Sequence, residues 1–179
     1  YWQVENEPYV AVFAEEHCGE LEEAFLQEEI ALVRSLDSKP ILLTDSGNLG
    51  LWWKPYSQGD AFGTSVYIYF WTPEFGQYRT YLPPALYRLK ERVMQVFQHD
   101  KPVFLIELSL EPWLTQPIVD TPLDVQLARM DMDKFNEILR YAKDIGMQRQ
   151  YLWGIEWWYY MKERGHPEFW DAARTLYEE

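Results

Sequence analysis

Residues 101–107 read KPVFLIE, a run of four apolar residues that follows a lysine and a proline and ends at a glutamate. A short apolar run of this kind is typical of a strand that is covered on both faces of its sheet. The runs PILLTD at residues 40–45 and QYLWGIE at residues 150–156 have the same character. We therefore expect buried strands at these three positions.

Helical periodicity separates these runs along the chain. Two further strands are predicted at residues 2–6 and 64–70, and amphipathic helices at residues 19–36, 84–98, 123–145 and 167–177. Strands that alternate with helices predict an α/β fold with a parallel sheet built from βαβ units. The loops after the strands are long, so we expect functional residues at the carboxyl ends of the strands. Residues 1–179 are expected to belong to a single domain.

The composition argues against several classes of function. The chain has 16 basic and 29 acidic residues, and its formal net charge of −13 repels nucleic acids and anionic membranes. Cys18 is the only cysteine, so no internal disulfide can form, and no zinc-ligand spacing occurs. No glycine-rich phosphate-binding motif follows a predicted strand. We expect no nucleic-acid partner, no cofactor and no metal.

Aromatic residues are unusually frequent. They make up 17% of the chain and include nine Trp and thirteen Tyr. A sugar ring stacks its C–H face on an indole, while carboxylates and amides bind its hydroxyl groups. The composition therefore favours a carbohydrate ligand. Because polysaccharides lie outside most cells, a secreted or cell-envelope location is expected.

Three of the predicted strands end in a carboxylate: Glu7, Glu107 and Glu156. Hydrolysis of a glycosidic bond needs two carboxyl groups on one site, one to protonate the leaving oxygen and one to attack or to stabilise the transition state. At about 30 to 40 residues per β/α unit, Glu7 and Glu107 are three strands apart, across the mouth of a closed barrel. This spacing predicts a catalytic pair of carboxylates.

The segments QVENEP at residues 3–8 and KPVFLIE at residues 101–107 resemble the fourth and seventh strands of the clan A retaining glycoside hydrolases. These (β/α)8 barrel enzymes include cellulases and β-mannanases. The resemblance implies that Asn6 contacts a sugar 2-hydroxyl, that Glu7 is the acid/base and that Glu107 is the nucleophile.

Other segments extend this resemblance to the whole chain. Together with NEP, the segments TDSG, ELSLEPW and WGIEWW are similar to a bacterial branch of cellulase-like proteins. The resemblance implies that Tyr67 or Tyr69 bonds the nucleophile. It also implies that an aromatic floor for the sugar is supplied by one of three tryptophans, namely Trp153, Trp157 or Trp158.

A complete (β/α)8 barrel has about 250 residues, so the resemblance places the chain in its carboxyl-terminal half, strands 4 to 8. The natural protein is then expected to carry the amino-terminal half of the barrel, with the sugar-binding side chains of strands 1 to 3. The chain is expected to be a fragment of a glycoside hydrolase catalytic domain.

Several alternatives stay open at the level of sequence. Glu7 can instead accept loop amides, and Glu111 competes with Glu107 because it has the same strand parity. Glu156 is either a third carboxylate of the site or a partner of Lys162 or Arg164. A catalytically inactive carbohydrate-binding barrel and a transglycosylase with the same residues are the alternative functions.

Overall fold

The computed structural model describes residues 1–10 and 21–178. The strands in this part of the chain are β1 (Trp2–Gln3), β2 (Ile41–Ser46), β3 (Ala61–Val66), β4 (Tyr69–Thr72), β5 (Gly76–Arg79), β6 (Val103–Ser109) and β7 (Gln150–Trp153). The helices are α1 (Glu23–Leu36), α2 (Trp53–Gln58), α3 (Pro84–Phe97), α4 (Leu123–Arg129), α5 (Met132–Ile145), α6 (Ile155–Lys162) and α7 (Glu168–Thr175). Within the described ranges, no helix is long and apolar enough to cross a bilayer. The expected helix start at residue 19 lies outside them.

Five of the strands form one curled parallel sheet in the order β1-β2-β3-β6-β7. Strand β2 pairs in parallel with β1 and with β3, and the register sets Ser46 opposite Ser65. The sheet is compatible with part of an α/β barrel. The predicted mixed α/β class with a parallel sheet is therefore confirmed.

The chain divides into two compact units. The first comprises Tyr1–Val66, Leu82–Glu107 and Ile145–Tyr151, and it contains most of the parallel sheet. The second comprises Tyr67–Tyr81, Leu108–Asp144 and Leu152–Glu179.

The first unit packs apolar side chains on both faces of β2. Ile41 and Leu43 form a buried cluster with Leu26 and Ile30 of α1. Leu42 points the other way and packs with Ala61 and Phe104. Because successive side chains of a strand alternate between faces, a strand covered on both sides is apolar throughout. This explains why a continuous apolar run at residues 40–45 correctly predicted a strand.

The second unit combines a β4–β5 hairpin with helices α4 to α7. The two strands pair antiparallel, with Tyr69 opposite Arg79 and Thr72 opposite Gly76. Aromatic packing closes the helical part, since the Trp157 ring lies 4.6 Å from that of Phe169. Phe135 of α5 packs edge-on against the same phenylalanine at 5.8 Å.

The prediction of one strand over residues 64–70 is wrong. The parallel strand β3 begins at Ala61 and ends at Val66, and residues 69–72 belong to the separate hairpin. Gly76 starts β5 with φ +65°, a conformation that glycine adopts at little cost. Tyrosines alternate with apolar residues over this segment, and this alternation suggested a single strand. In the structure the segment contains the end of β3 and the start of β4.

The boundaries of other elements also differ from those predicted, and the strand predicted over residues 2–6 covers only Trp2–Gln3. Strand β6 continues past Glu107 to Ser109. The helix predicted over residues 123–145 is broken between α4 and α5, where the Asp131 carboxylate accepts the Lys134 backbone N–H at 2.8 Å. An aspartate that caps backbone N–H groups in this way favours a new helix start over continuation.

The strand predicted over residues 150–156 ends at Trp153, and the expected loop after it is largely helical. Gly154 has φ +134° and turns the chain, after which α6 begins at Ile155. Trp157, Trp158 and Met161 are buried on one side of this helix. Their spacing of three and four residues matches helical periodicity, so WGIEWW is a strand end followed by a helix start.

Candidate active site

Glu7 follows β1 at the carboxyl edge of the sheet, and a hydrogen bond to the neighbouring strand β2 holds its backbone. Its N–H donates to the hydroxyl oxygen of Thr44 at 2.8 Å, and that hydroxyl donates to Asn6 Oδ1 at 3.2 Å. Thr44 is fully buried, so water does not compete for these two hydrogen bonds. Glu7 has φ +48°, and strained backbone of this kind in a non-glycine residue concentrates at functional sites.

The Glu7 carboxyl group lies in a hydrogen-bonded niche. The buried Ser65, at the carboxyl end of β3, donates its hydroxyl to Glu7 Oε1 at 2.5 Å. Burial raises the pKa of Glu7 to about 7, and the negative charges of Glu107 and Asp45 act in the same direction, while the Ser65 hydrogen bond opposes them. Glu7 can therefore hold a proton near neutral pH, as a general acid must.

Glu107 lies half-buried on β6, in the same compact unit as Glu7. Its charge contributes to the raised pKa of Glu7, so the structure brings the two carboxylates within electrostatic reach of each other. The strand ends two residues later than predicted, at Ser109. Glu7 and Glu107 nevertheless both lie towards the carboxyl ends of strands in one parallel sheet, and their role as a catalytic pair stays a prediction.

The raised pKa of Glu7 makes stability depend on pH. The folded chain binds this proton more tightly than the unfolded chain, whose glutamate titrates near 4.5. The protonated Glu7 therefore stabilises the folded chain by about 3 kcal/mol. This stabilisation is fully present below pH 4.5 and is lost as pH rises through about 7. We expect the difference in unfolding free energy between wild type and Glu7→Gln to change by this amount in urea titrations between pH 4.5 and 8. A pH-independent difference would contradict the raised pKa.

Glu111, the alternative nucleophile, lies in the second unit beyond the end of β6. Its Oε1 accepts the indole N–H of Trp153 at 2.9 Å. Burial raises the pKa of Glu111; the hydrogen bond from Trp153 lowers it, and the charge of Glu156 raises it. Glu111 therefore contacts an aromatic side chain and lies near a second carboxylate, a different setting from that of Glu107.

Of the three tryptophans expected to form a sugar floor, only Trp153 is substantially exposed, at 50%. The expected contact of Trp157 with a sugar is wrong, because Trp157 is fully buried and its indole N–H donates to Gln126 Oε1 at 2.8 Å. Trp158 is also buried and donates to the Leu110 carbonyl at 2.9 Å. A ring without exposed surface cannot stack on a sugar, so of these three rings only that of Trp153 is exposed enough to do so.

Glu156 was predicted to end a strand, but it lies exposed in the first turn of α6. The basic residues considered as its partners contact aromatic rings, with Lys162 over Trp170 at 5.0 Å and Arg164 over Tyr160 at 3.4 Å. Its charge acts on Glu111. A carboxylate in the first turn of a helix is also favoured by the helix dipole.

The two candidate tyrosines have different surroundings. The Tyr69 hydroxyl donates to Glu137, which also accepts from Arg79 Nε at 2.6 Å. Burial and the Glu137 carboxylate raise the pKa of Tyr69 to about 12. Tyr67 packs its ring 5.5 Å from Trp113 and 6.0 Å from Phe70. The Tyr69 hydroxyl is therefore bound to Glu137, and the hydrogen bond from one of these tyrosines to the nucleophile stays a prediction.

Sequence reasoning missed the polar side chains near Glu7, namely Thr44, Asp45 and Ser65, and it missed Lys90, which contacts the loop after β2. The first three are buried polar residues at the carboxyl ends of β2 and β3. A polar residue at the end of an otherwise apolar strand is a signal that the sequence does contain. Lys90 gave no such signal, because a lysine on an amphipathic helix is ordinarily exposed to solvent.

Within residues 1–10 and 21–178, no group of three His, Cys, Asp or Glu side chains is arranged to hold a metal ion. His17 and Cys18 lie outside the described residues. Comparisons of the chain with protein-family models, with curated proteins and with solved structures found no match. The resemblance to clan A glycoside hydrolases therefore rests on the quoted motifs alone.

Proposed function

We propose that the chain carries the catalytic pair of a retaining β-glycosidase of the cellulase or β-mannanase type. The observation that supports this most is the placement of the Glu7 carboxyl, which is buried, hydrogen-bonded by Ser65 and within electrostatic reach of Glu107, so that its pKa is raised to about 7. A retaining glycosidase needs one carboxyl that is protonated near neutral pH and a second that is available to attack.

In the first step Glu7 donates its proton to the glycosidic oxygen while the bond from that oxygen to the anomeric carbon breaks. A Glu107 carboxylate oxygen forms the new bond to that carbon, and the aglycone leaves as an alcohol. In the second step Glu7 takes a proton from water, whose oxygen attacks the anomeric carbon and releases Glu107. Two displacements at one carbon retain its β configuration.

The strand order is consistent with a (β/α)8 barrel. In the sheet, β1, β2, β3, β6 and β7 stand side by side in the order in which they occur along the chain. A doubly wound sheet reverses its strand order at a switch point, whereas a barrel does not. On this proposal the five strands are strands 4 to 8 of the barrel, and the β4–β5 hairpin is an insertion after strand 6.

The proposed substrate is a β-linked oligosaccharide or polysaccharide. Asn6, exposed beside Glu7, is assigned to a sugar hydroxyl. If the pair retains configuration, the carboxyl carbons of Glu7 and Glu107 are expected to lie about 5 to 5.5 Å apart in the complex, against about 6.5 to 9.5 Å for an inverting pair.

The full-length protein tests the proposal with aryl β-glycosides of glucose and mannose, monitored by proton NMR for the first sugar anomer released. We expect hydrolysis with the β anomer formed first. Binding without turnover would identify a carbohydrate-binding barrel, and product carrying an acceptor sugar would identify a transglycosylase. Release of the α anomer first would contradict the retaining mechanism.

A further inference from the structure

The TDSG motif at residues 44–47 leads from the end of β2 into a tight loop. Asp45 holds both ends of this loop, because its carboxylate accepts the N–H groups of Ser46 and Trp52, each at 2.9 Å. Gly50 lies against that carboxylate so closely that a Cβ atom would come within 2.1 Å of Asp45 Oδ1. The loop conformation is therefore fixed by the buried aspartate.

Lys90 holds the same loop from helix α3. Its ammonium donates to the carbonyl oxygens of Gly47 at 3.1 Å and of Gly50 at 2.7 Å. It also lies 4.4 Å above the centre of the buried Trp52 ring, where cation–π attraction favours it. Burial lowers the pKa of Lys90 to about 8, while the charge of Asp45 opposes this. The side chain is thus a partly buried cation with three separate contacts to one loop.

The loop is joined in turn to the residue that binds Glu7. The Gly47 N–H donates to the Ser65 carbonyl at 3.1 Å, one residue beyond the ladder between β2 and β3. Gly47 packs closely against Ser65 and Tyr87. A Cβ atom on Gly47 would lie 2.2 Å from the Ser65 carbonyl oxygen and 2.5 Å from the Tyr87 ring. Ser65 then donates its hydroxyl to Glu7. A continuous path of hydrogen bonds therefore runs from Lys90 to the Glu7 carboxyl.

We propose that Lys90 is a positioning residue, which holds Ser65 through Gly47 so that the serine hydroxyl is fixed on the Glu7 carboxyl. The catalytic meaning of this role rests on the proposed function, in which Glu7 is the acid/base. The positioning itself is a property of the folded chain and is measured without any substrate.

The experiment measures the pKa of Glu7 by ¹³C NMR titration of glutamate-labelled full-length protein, with the Glu7 resonance assigned from Glu7→Gln. The Ser65 hydrogen bond lowers this pKa, so loosening it raises the value. We expect Lys90→Met and Ser65→Ala each to raise it by about half a unit to one unit. In the double variant, Lys90→Met adds no further shift, because its effect passes through Ser65.

Lys101→Met is the matched control. Lys101 also donates to two backbone carbonyls, those of Tyr56 and Gly59, and lies 4.7 Å above the Tyr56 ring. It precedes β6, at the opposite end of the strands from Glu7. Loss of a partly buried ammonium from this site is expected to cost similar stability and to leave the pKa of Glu7 unchanged.

The proposal is overturned if Lys90→Met leaves the pKa of Glu7 unchanged, if Lys101→Met shifts it equally, or if the two single shifts add fully in the double variant. Should Lys90→Met fail to fold, Lys90→Gln, which is too short to reach both carbonyls, is titrated with the same expected results. Failure of the proposed function would look different: the pKa shifts would appear as expected, and the wild-type protein would hydrolyse no glycoside.

Discussion

Replacement of Glu107 by Gln is expected to reduce turnover by about 10⁴-fold or more, to near background, for every leaving group. An amide cannot form the glycosyl ester, so neither a sugar nor a phenol can be displaced through the covalent route. The side chain keeps its size on β6, and therefore the fold and substrate binding should persist. Steady-state kinetics with an alkyl and an activated aryl β-glycoside measure both cases.

Glu111→Gln is the control for this prediction, since Glu111 was the alternative nucleophile. It accepts one hydrogen bond from Trp153, and the amide oxygen of glutamine can accept the same bond. We expect this variant to keep most of its turnover. Loss of activity in Glu111→Gln combined with an active Glu107→Gln would move the nucleophile to residue 111.

The second large effect is expected from Glu7→Gln, and it should depend on the leaving group. Loss of the general acid should cost about 10² to 10⁴ for sugar leaving groups and far less for an activated phenol, which departs unprotonated. The glycosyl-enzyme should then accumulate, because no base activates water. Stopped-flow release of the phenol should show a burst followed by slow turnover.

Azide separates this mechanism from simple damage to the site. A small anion needs no general base, so it should restore turnover of Glu7→Gln on the aryl substrate and yield a β-glycosyl azide. The same addition should do nothing for Glu107→Gln, which forms no intermediate to intercept. Equal losses for both variants with both leaving groups, without azide rescue, would show that the assigned roles are wrong.

The pH dependence of the wild type should reflect the same group. With a pKa of about 7 for Glu7, kcat/KM for substrates that need acid assistance should fall as pH rises through this value. The fall should be weak for an activated phenol. If kcat/KM instead began to fall near pH 4.5, Glu7 would titrate as an ordinary glutamate in solution.

The fold class could be predicted from the sequence because buried positions are occupied by apolar residues in a pattern that depends on the type of element. Strands β2 and β6 begin with the apolar runs ILL and VFLI, whereas α3 and α5 show helical periodicity. The approach of Glu107 to Glu7 followed from the same reasoning, since parallel strands bring their carboxyl ends to one edge. These are properties of single elements and of sheet geometry.

The elements that were mispredicted depend on tertiary context. An aromatic run such as WGIEWW suits a strand or a buried helix, and the turn at Gly154 decides between the two. Trp157 was expected at a sugar because tryptophan is common in such sites, but the helix that begins at Ile155 turns it towards Gln126. Local pattern does not contain this information.

Lys90 shows a second limit of sequence reasoning. On a helical wheel it is an ordinary exposed lysine, and only the proximity of the 47–50 loop makes it a partly buried donor to two carbonyls. The polar residues at strand ends, Thr44 and Ser65, were visible in the sequence but had no assigned partners. Their roles become clear only once Glu7 is placed beside them.

The most direct test of the proposed catalytic pair is to trap the covalent intermediate. Full-length protein is incubated with 2-deoxy-2-fluoro-β-glycosides of the gluco and manno series that carry an activated leaving group. The fluorine slows both the formation and the hydrolysis of the glycosyl-enzyme, and the activated leaving group keeps the formation faster, so the intermediate accumulates. Peptides are then analysed by mass spectrometry. We predict one fluorosugar per chain, attached to Glu107, with no label in Glu107→Gln. Attachment to Glu111 or Glu156, or hydrolysis of the natural substrate with inversion and without any label, would contradict the assignment of Glu107 as the nucleophile.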